Sequence, residues 1–455
     1  MEIHSTFKCN HKGENVKITK LSLAAIAAMT ITTGAMAEVT HELSGNVKLW
    51  YETADSDVNA AAVAASTMTA AEQATANARS GNGLFHQRAS GFTGGDAAVS
   101  IEAKGKAGVL GYGLKYTAVD TLGLENDVVS SRRTPHSVGT PMKTAHWAEK
   151  AFITYKMGNT TAKVGRQHLN TPLAFTEAWN ISSNSFDAAV LLNSDIENVT
   201  LVGAYVGKGN GGNPGIAGYS TVQANGEFQS FGSATGLVGK GAYAAGVLAK
   251  PVKGLGINAW YYNVLDIADA AWVDADYKVG PVKLGAVYAQ MMPKGQAGTG
   301  SDTTALAFKA GSKVGPVSLF GAYSKISNSG SLHVGNVATG FKKTKLPTAG
   351  IYNDGLIVAA PGAETFKLKA VYPIGGVKLI GQYISTDNTH DAVNALASNA
   401  TGRSVDEIDV IVATKIADVN VKAIYINRTF GTNQNNGSVV KADSNHARII
   451  AEINF

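Results

Sequence analysis

The sequence predicts an all-β fold, in which a single domain forms a transmembrane antiparallel β-barrel. Three observations lead to this prediction: a composition rich in glycine and poor in charge, an export signal near the N-terminus, and an alternating motif that recurs six times. The 455 residues include 51 glycines, and 16% of them are charged, against roughly 25% in an average soluble domain. Apart from a shorter stretch near the N-terminus, no apolar run reaches the ~20 residues that a spanning helix needs.

The first residues have the order of a secretory signal peptide. Lys17 and Lys20 precede the apolar stretch 21–29, and small residues then lead to Ala37, directly before Glu38. A basic region, an apolar region and a small-residue cleavage site in this order predict a signal peptide over 1–37, cleaved between Ala37 and Glu38, and a mature domain over 38–455. A buried helix at the start of a soluble domain is the alternative.

The segment before the apolar stretch is long and polar for a signal peptide. A translation start at Val16 is therefore an alternative. Cys9 lies upstream of the predicted cleavage in either case, so the mature chain has no cysteine and needs no disulfide. Removal of residues 1–37 takes away four lysines and two glutamates and reduces the net charge from +5 to +3. A balance this small disfavours nucleic-acid binding and, taken over the whole chain, strong selectivity for ions of either sign.

The recurring motif has the template apolar-x-apolar-x-(Gly/Ala)-x-Tyr. A period of two places the template residues on one face of a strand and more polar residues on the other. In a membrane barrel the apolar face contacts lipid and ends in a girdle of aromatic side chains, which matches the closing tyrosines. The six copies begin at Val199, Leu255, Val282, Val317, Val377 and Val419 and end at Tyr205, Tyr261, Tyr288, Tyr323, Tyr383 and Tyr425.

Short and long connections alternate along the chain. The near-identical turns Lys278–Pro281 and Lys313–Pro316 are typical of the short class, whereas most of the other strand ends lead into long polar segments. This asymmetry predicts short periplasmic turns and long extracellular loops. The predicted long loops are 54–95, 120–147, 168–182, 209–239, 293–302, 328–362, 386–405 and 431–444.

About eighteen strands follow from this division, with sixteen or twenty left open. An even number allows an antiparallel meander to close with both termini on the periplasmic side, and the first and last strands are expected to pair and leave no edge. The predicted strands are 45–53, 96–104, 109–119, 148–157, 161–167, 185–193, 198–208, 241–249, 255–265, 269–279, 281–292, 303–314, 316–326, 364–372, 377–385, 407–414, 419–430 and 445–455.

These residues resemble bacterial outer-membrane porins. The alternating last strand that ends in Phe455 is similar to the C-terminal signature that marks such barrels for the assembly machinery. The stretch 164–167 (Val-Gly-Arg-Gln), followed by 171–173 (Thr-Pro-Leu), resembles the OprD-like porins and the major outer-membrane porins of epsilonproteobacteria. The resemblance implies a homotrimer of eighteen-stranded pores, each with a third loop, near 168–182, that folds into the lumen. An arginine ladder of the kind associated with basic-amino-acid uptake is absent, because the inward cations are mostly lysines.

A barrel of this strand number encloses an aqueous lumen, which predicts a channel for passive diffusion of ions and small hydrophilic solutes across the outer membrane. Selectivity is expected to depend on charges at the narrowest point. A lipid-facing lysine at mid-depth costs roughly 2–4 kcal/mol, so mid-strand lysines are assigned to the lumen. The candidates at the constriction are Arg166, His168, Asn170 and Glu177, and those on the pore wall are Lys48, Lys115, Lys309, Lys378, Lys422 and Arg448; for each, a solvated charge without effect on flux is the alternative.

Catalysis and metal binding have no motif in the sequence. The histidines lack a metal-ligand spacing such as H-x-x-x-H, and neither a phosphate-binding loop nor a nucleophile elbow occurs in a usable context. No enzyme activity and no cofactor are therefore predicted, although calcium held by loop carboxylates stays open. Membrane lipids, lipopolysaccharide and small solutes are the expected partners. Two other functions remain as alternatives, an outer-membrane enzyme and a barrel that anchors adhesive surface loops.

Overall fold

The computed structural model describes residues 39–58, 84, 94–120, 145–211, 226, 228–233, 236–388, 400–434 and 439–455. The predicted signal peptide and its cleavage site at Ala37 and Glu38 lie outside these residues. Within them, no helix is long and apolar enough to be a membrane span.

The chain forms one antiparallel sheet of long strands. A two-residue strand, β8, pairs with the end of β7, and two 3-10 turns lie at Gly295–Ala297 and Val337–Thr339. The strands are β1 (Val39–Val58), β2 (Gly94–Ala107), β3 (Leu110–Asp120), β4 (Ala145–Met157), β5 (Thr160–Gln167), β6 (Phe186–Asn193), β7 (Val199–Gly209), β8 (Gln229–Ser230), β9 (Ala242–Ala249), β10 (Leu255–Val264), β11 (Ala268–Val279), β12 (Val282–Pro293), β13 (Thr303–Val314), β14 (Val317–Ile326), β15 (Ala363–Ile374), β16 (Val377–Asn388), β17 (Ala400–Ile416), β18 (Val419–Gln434) and β19 (Val439–Asn454).

The sheet closes on itself into a barrel. β1 pairs with β2 on one side and with β19 on the other, so that Leu49 lies opposite both Ala97 and Ala451. The other long strands pair in chain order, and β7 pairs with β9 past the short β8. Leaving β8 aside, eighteen strands form the closed wall, which confirms the predicted barrel and its strand count. Among the residues that the structure describes, closure gives every strand of the wall a hydrogen-bonded neighbour on both sides.

Side chains alternate between the two faces of the wall as the repeated motif predicts. On β12, Leu284 and Tyr288 are 46% and 40% exposed, whereas Val287, Ala289 and Met291 are buried. The tyrosines that close the six copies are all 37–50% exposed. The exposed apolar face is therefore the outer surface of the barrel, and the buried or polar face lines the lumen.

Substitution of Phe308 by arginine should destabilise the barrel by about 2–4 kcal/mol, the cost of an arginine on the lipid face at mid-depth. Phe308 lies near the middle of β13 and is 56% exposed on the outer surface. The measurement is the free energy of unfolding in a bilayer by denaturant titration. Lys309→Arg is the matched control, because Lys309 is the next residue along the strand and its Nζ lies 2.7 Å from Asp276 Oδ1 on the inner face. Equal destabilisation by both variants would contradict the assignment of faces.

Candidate solute pathway

Two connections fold into the lumen. Loop A, residues 168–185, joins β5 to β6, and loop B, residues 327–362, joins β14 to β15. The sequence predicted an inward position near 168–182, whereas it predicted loop B at the cell surface. The position of loop B is a correction: Val334, Val358 and Ala359 are fully buried, and its backbone contacts both loop A and Glu407 of the wall strand β17.

The start of loop A depends on a glycine in the stretch 164–167. Gly165 has a φ of +118°, and a Cβ at this position would lie 2.3 Å from the Ala151 carbonyl oxygen. Only glycine accepts both this conformation and this approach to the neighbouring strand. The next inward residue, Gln167, is fully buried and donates through Nε2 to the Ala188 carbonyl at 2.9 Å. The wall is thereby fixed where loop A leaves it.

The far end of loop A is attached to the wall near β1. Ile181 is buried against Trp50 and Trp147, and the Nζ atom of Lys48 donates to the Asn180 carbonyl oxygen at 2.5 Å. Loop A therefore crosses the lumen from β5 to β1 before it returns to β6. An apolar contact and a charge-assisted hydrogen bond hold it there.

A buried carboxylate joins the two inward loops. Glu177 of loop A is 4% exposed. Its Oε1 accepts from Asn336 Nδ2 at 2.9 Å and from Thr339 Oγ1 at 2.5 Å, and its Oε2 accepts from Trp179 Nε1 at 2.8 Å. Burial raises the pKa of Glu177, and the three donors oppose that rise. We call this set of four residues the loop lock.

Loop B is attached to the wall by a second buried carboxylate. Glu407 of β17 is fully buried and accepts from the backbone amides of Ile351, Tyr352 and Asn353 at 2.6, 3.0 and 2.6 Å. The Nε atom of Arg428 lies 3.6 Å from the same carboxylate. Three converging amides form a cradle for an anion, so loop B supplies the cradle and the wall supplies the anion.

Tyr352 also contacts the wall at the seam between β1 and β19. Its hydroxyl hydrogen-bonds to the Glu52 carboxylate and accepts from Arg448 Nη2 at 2.9 Å, while Arg448 Nε donates to Glu52 at 2.7 Å. Arg448 is 4% exposed. The residues 351–353 of loop B are therefore held by wall residues of β1, β17, β18 and β19.

Lysines collect on the inner wall from β18 through β1 to β5. Lys115 lies 2.9 Å from Glu149, and Lys150 lies 3.0 Å from Glu102. Five lysines share this surface with three glutamates, which leaves an excess of positive charge. We call this set the lysine band: Lys48, Lys115, Lys150, Lys163 and Lys422, with Glu102, Glu149 and Glu452.

Solved structures share this architecture. Pseudomonas aeruginosa OccK8 (OprE) matches with a TM-score of 0.64 at 14% sequence identity, over 93% of this chain and 99% of that chain. P. aeruginosa OccK9 (OpdG) matches with a TM-score of 0.65 at 16% identity, over 91% and 99%. The chain has the OccK fold. No protein-family model and no curated protein sequence matches it.

The OccK fold confirms the resemblance to OprD-like porins at the level of architecture. The narrower resemblance to epsilonproteobacterial porins stays a prediction, because the two matching structures described above come from Pseudomonas. In the part of the chain that the structure describes, no group of three or more His, Cys, Asp or Glu side chains is placed to hold a metal ion.

The four predicted constriction residues have different positions. His168 Nε2 lies 2.9 Å from Glu149 Oε1, beside the lysine band. Asn170 is exposed and accepts from Lys345 Nζ at 2.5 Å. Glu177 belongs to the loop lock and is buried away from the open lumen, so we assign it a positioning role instead. Arg166 also departs from the expectation: it pairs with Asp187 on the outward alternation of the strand that exposes Val164.

The predicted pore-wall residues all lie at inward positions of their strands. Lys48, Lys115 and Lys422 belong to the lysine band, and Lys309 pairs with Asp276. Lys378 is exposed near the turn that begins β16. Arg448 differs from the others, because its guanidinium group donates hydrogen bonds to Glu52 and Tyr352. Phe455 ends the last strand, where its backbone exchanges two hydrogen bonds with Gly45. An assembly role for Phe455 stays a prediction.

Sequence reasoning missed several residues of the pathway. Lys150 and Lys163 are inward lysines in mid-strand, and the rule that assigned Lys115 to the lumen applies to them equally. Glu407 carried a weaker signal, a carboxylate at an inward position of a strand. Lys345 carried none, because it lies in a loop without periodicity.

Proposed function

We propose that this protein is an outer-membrane porin, a water-filled channel through which ions and small hydrophilic solutes diffuse passively. The observation that carries the proposal is a closed eighteen-stranded barrel with an apolar outer surface, a polar inner wall and two loops that narrow the lumen. An apolar belt is suited to a bilayer, and a barrel of this size leaves room for water. A passive channel needs neither an enzyme activity nor a cofactor.

The lysine band gives this channel a preference for anions. Its excess positive charge lies on the inner wall beside loop A, where low-dielectric protein walls concentrate field lines in a narrow aqueous passage. The small net charge of the whole chain therefore does not decide selectivity, since the band places local charge along the path. Charges that line a constriction set which ions enter.

The test is the single-channel current of the refolded chain, residues 38–455, in a planar lipid bilayer under a salt gradient. We expect stable steps and a reversal potential whose sign indicates anion preference. Replacement of Lys115 and Lys150 by glutamate should reduce the anion-to-cation permeability ratio several-fold and move the reversal potential towards cation selectivity. Lys253→Glu, in the exposed turn between β9 and β10 and away from the lysine band, is the control. A folded barrel without conductance would overturn the proposal.

The same recording addresses assembly. We propose that the protein functions as a homotrimer, as the resemblance to outer-membrane porins implies, and closure of the current in groups of three equal steps would support this state. Single steps alone would indicate a monomeric channel. Export through residues 1–37 and recognition of the Phe455 strand by the barrel assembly machinery complete the proposal, and N-terminal sequencing of the protein from outer membranes tests the cleavage before Glu38.

A further inference from the structure

We infer that Arg166 and Lys208 form a binding site for the phosphate groups of lipid A on the outer surface of the barrel. The outer leaflet of an outer membrane consists of lipopolysaccharide, and lipid A is the part of it that is embedded in the membrane. The site is independent of the solute pathway, because it lies on the other face of the wall.

Three neighbouring strands carry charged side chains at one level of the outer surface. Arg166 of β5 lies directly opposite Asp187 of β6, and Asp187 lies directly opposite Lys208 of β7. The next residues, Gln167 and Phe186, point inward and are fully buried. Within these three strands, all of which the structure describes, no other outward position is charged. The three residues therefore form an isolated charged row on an apolar surface.

The row lies just outside the aromatic girdle. Tyr205 pairs with Ala189, which is two residues closer to the short periplasmic turn than Asp187. Tyr205 and Tyr243 are exposed and contact each other, with ring centroids 5.0 Å apart. Such aromatic side chains mark the boundary between hydrocarbon and headgroups. The charged row is therefore at the depth of the headgroups of the outer leaflet.

Arg166 is held in place with part of its guanidinium group unused. Its Nε and Nη2 donate to Asp187 at 2.8 and 3.2 Å, and its Nη1 donates to the Ala148 carbonyl oxygen at 3.1 Å. The Phe228 ring covers one face of the group, with its centroid 3.4 Å from Arg166 Cζ. Within the described part of the chain, these three contacts leave two of the five N–H groups of the guanidinium for a ligand. The side chain of Arg166 is 24% exposed.

Lys208 supplies the excess charge of the row. It is exposed, and among the described residues no salt bridge within 4.0 Å includes it, since Asp187 pairs with Arg166. The row thus has two positive charges and one negative charge. Phosphate oxygens accept from guanidinium and ammonium groups alike, and these charge-assisted hydrogen bonds are among the strong ones in proteins.

The spacing of the two cations favours lipid A over a phospholipid. Arg166 and Lys208 are two strand spacings apart, which is about 10 Å, with Asp187 between them. Lipid A has a disaccharide headgroup with a phosphate at each end, so it can place one phosphate on each cation. A phospholipid such as phosphatidylglycerol brings a single phosphate to the same surface.

Two other places just above the girdle have a different charge. Lys325 lies two residues beyond Tyr323 on β14 and pairs with Glu364 at 3.1 Å, while Glu364 also accepts from the Tyr323 hydroxyl at 2.6 Å. On β17, Asp406 accepts from the Tyr383 hydroxyl at 2.9 Å. Neither place has a cation in excess. The row on β5 to β7 therefore favours binding at one place over uniform attraction to an anionic leaflet.

The test is native mass spectrometry of the purified protein in detergent, titrated with diphosphoryl lipid A, dephosphorylated lipid A or phosphatidylglycerol. We expect the wild-type protein to bind diphosphoryl lipid A most tightly. Lys208→Gln and Arg166→Gln should each weaken this binding roughly three- to ten-fold, the range for one basic residue at an anionic lipid surface, and leave dephosphorylated lipid A unaffected. Lys325→Gln is the matched control, because this outward lysine above a girdle tyrosine already has Glu364 as its partner.

Each outcome bears on the site separately from the channel. Lys208→Gln decides the question if Arg166→Gln does not fold, since Lys208 makes no ion pair with the described residues of the wall. Unchanged lipid A affinity in Lys208→Gln, or an equal loss in Lys325→Gln, would overturn the inference. Equal wild-type affinity for phosphatidylglycerol and lipid A would show a general anionic-lipid surface and would overturn it as well. A wild-type barrel that binds lipid A without conducting would refute the channel and leave this site standing.

Discussion

Replacement of Glu407 by alanine is expected to release one end of loop B and to raise the single-channel conductance. The carboxylate accepts from three backbone amides at 2.6–3.0 Å, and Arg428 lies beside it at 3.6 Å. Without it, the amides lose their acceptor and Arg428 becomes a buried cation without its carboxylate neighbour. Breaking a buried ion pair from one side costs about 3–5 kcal/mol, so we expect residues 351–353 to detach from the wall.

The barrel should survive this change, because its strands pair along their whole length independently of residues 351–353. The measurement combines the conductance step with limited proteolysis within loop B. Asp406→Ala is the control, since Asp406 precedes Glu407 on the same strand and points to the outer face, where it accepts from the Tyr383 hydroxyl at 2.9 Å. Unchanged conductance and unchanged protease resistance in a folded Glu407→Ala barrel would refute the anchoring role.

The strands of the barrel wall could be predicted from the sequence because the alternation that marks each strand is local. A period of two along each strand distinguishes lipid-facing Leu284 from lumen-facing Val287 within three residues. The six tyrosines are exposed for the same reason. The hydrogen-bonded turns connect neighbours in the chain, so the pairing order follows from the order of strands.

The constriction could not be predicted in the same way. Glu177 meets Asn336 across 159 residues of sequence, and Glu407 meets Tyr352 across 55. Neither loop has a periodicity that shows which side chain is buried, so Glu177 was interpreted as a lumen charge. Arg166 was misassigned for a related reason: its Gly-Arg context indicated the loop entry, whereas the outward alternation of β5 pairs it with Asp187.

The two inward loops also connect stability with selectivity. Charged residues such as Glu177, Glu407 and Arg448 are buried as anchors, while the lysines of the lysine band and Lys345 are partly or fully exposed. Buried anchors determine the width of the passage, and accessible charges determine which solutes use it. Substitutions in the first group should therefore alter conductance, and substitutions in the second should alter permeability ratios at nearly constant conductance.

Glu177→Ala should open the loop lock and produce a channel with larger and noisier current. The substitution leaves Asn336, Thr339 and Trp179 without their common acceptor, and a buried donor that loses its only partner costs about 1–3 kcal/mol. Asn336 keeps its hydrogen bond to the Phe175 carbonyl oxygen. Loops A and B keep their backbone contact between Val337 and Leu173 at 3.0 Å, so we expect fluctuation between open and narrowed states. Current noise at constant voltage and the thermal unfolding midpoint are the measurements, and Glu364→Ala at the outer rim is the control.

The pH dependence of the loop lock has a definite sign. Burial raises the folded-state pKa of Glu177 above its unfolded value, so the folded state binds this proton more tightly. The free energy of unfolding therefore falls as pH rises through the folded-state pKa of Glu177, and it recovers at lower pH. We expect mild acid to leave the wild-type current quiet and Glu177→Gln, which mimics the protonated form, to be quieter than Glu177→Ala. Wild-type noise that grows on mild acidification, without growing in Glu177→Gln, would show that the lock requires the ionised carboxylate.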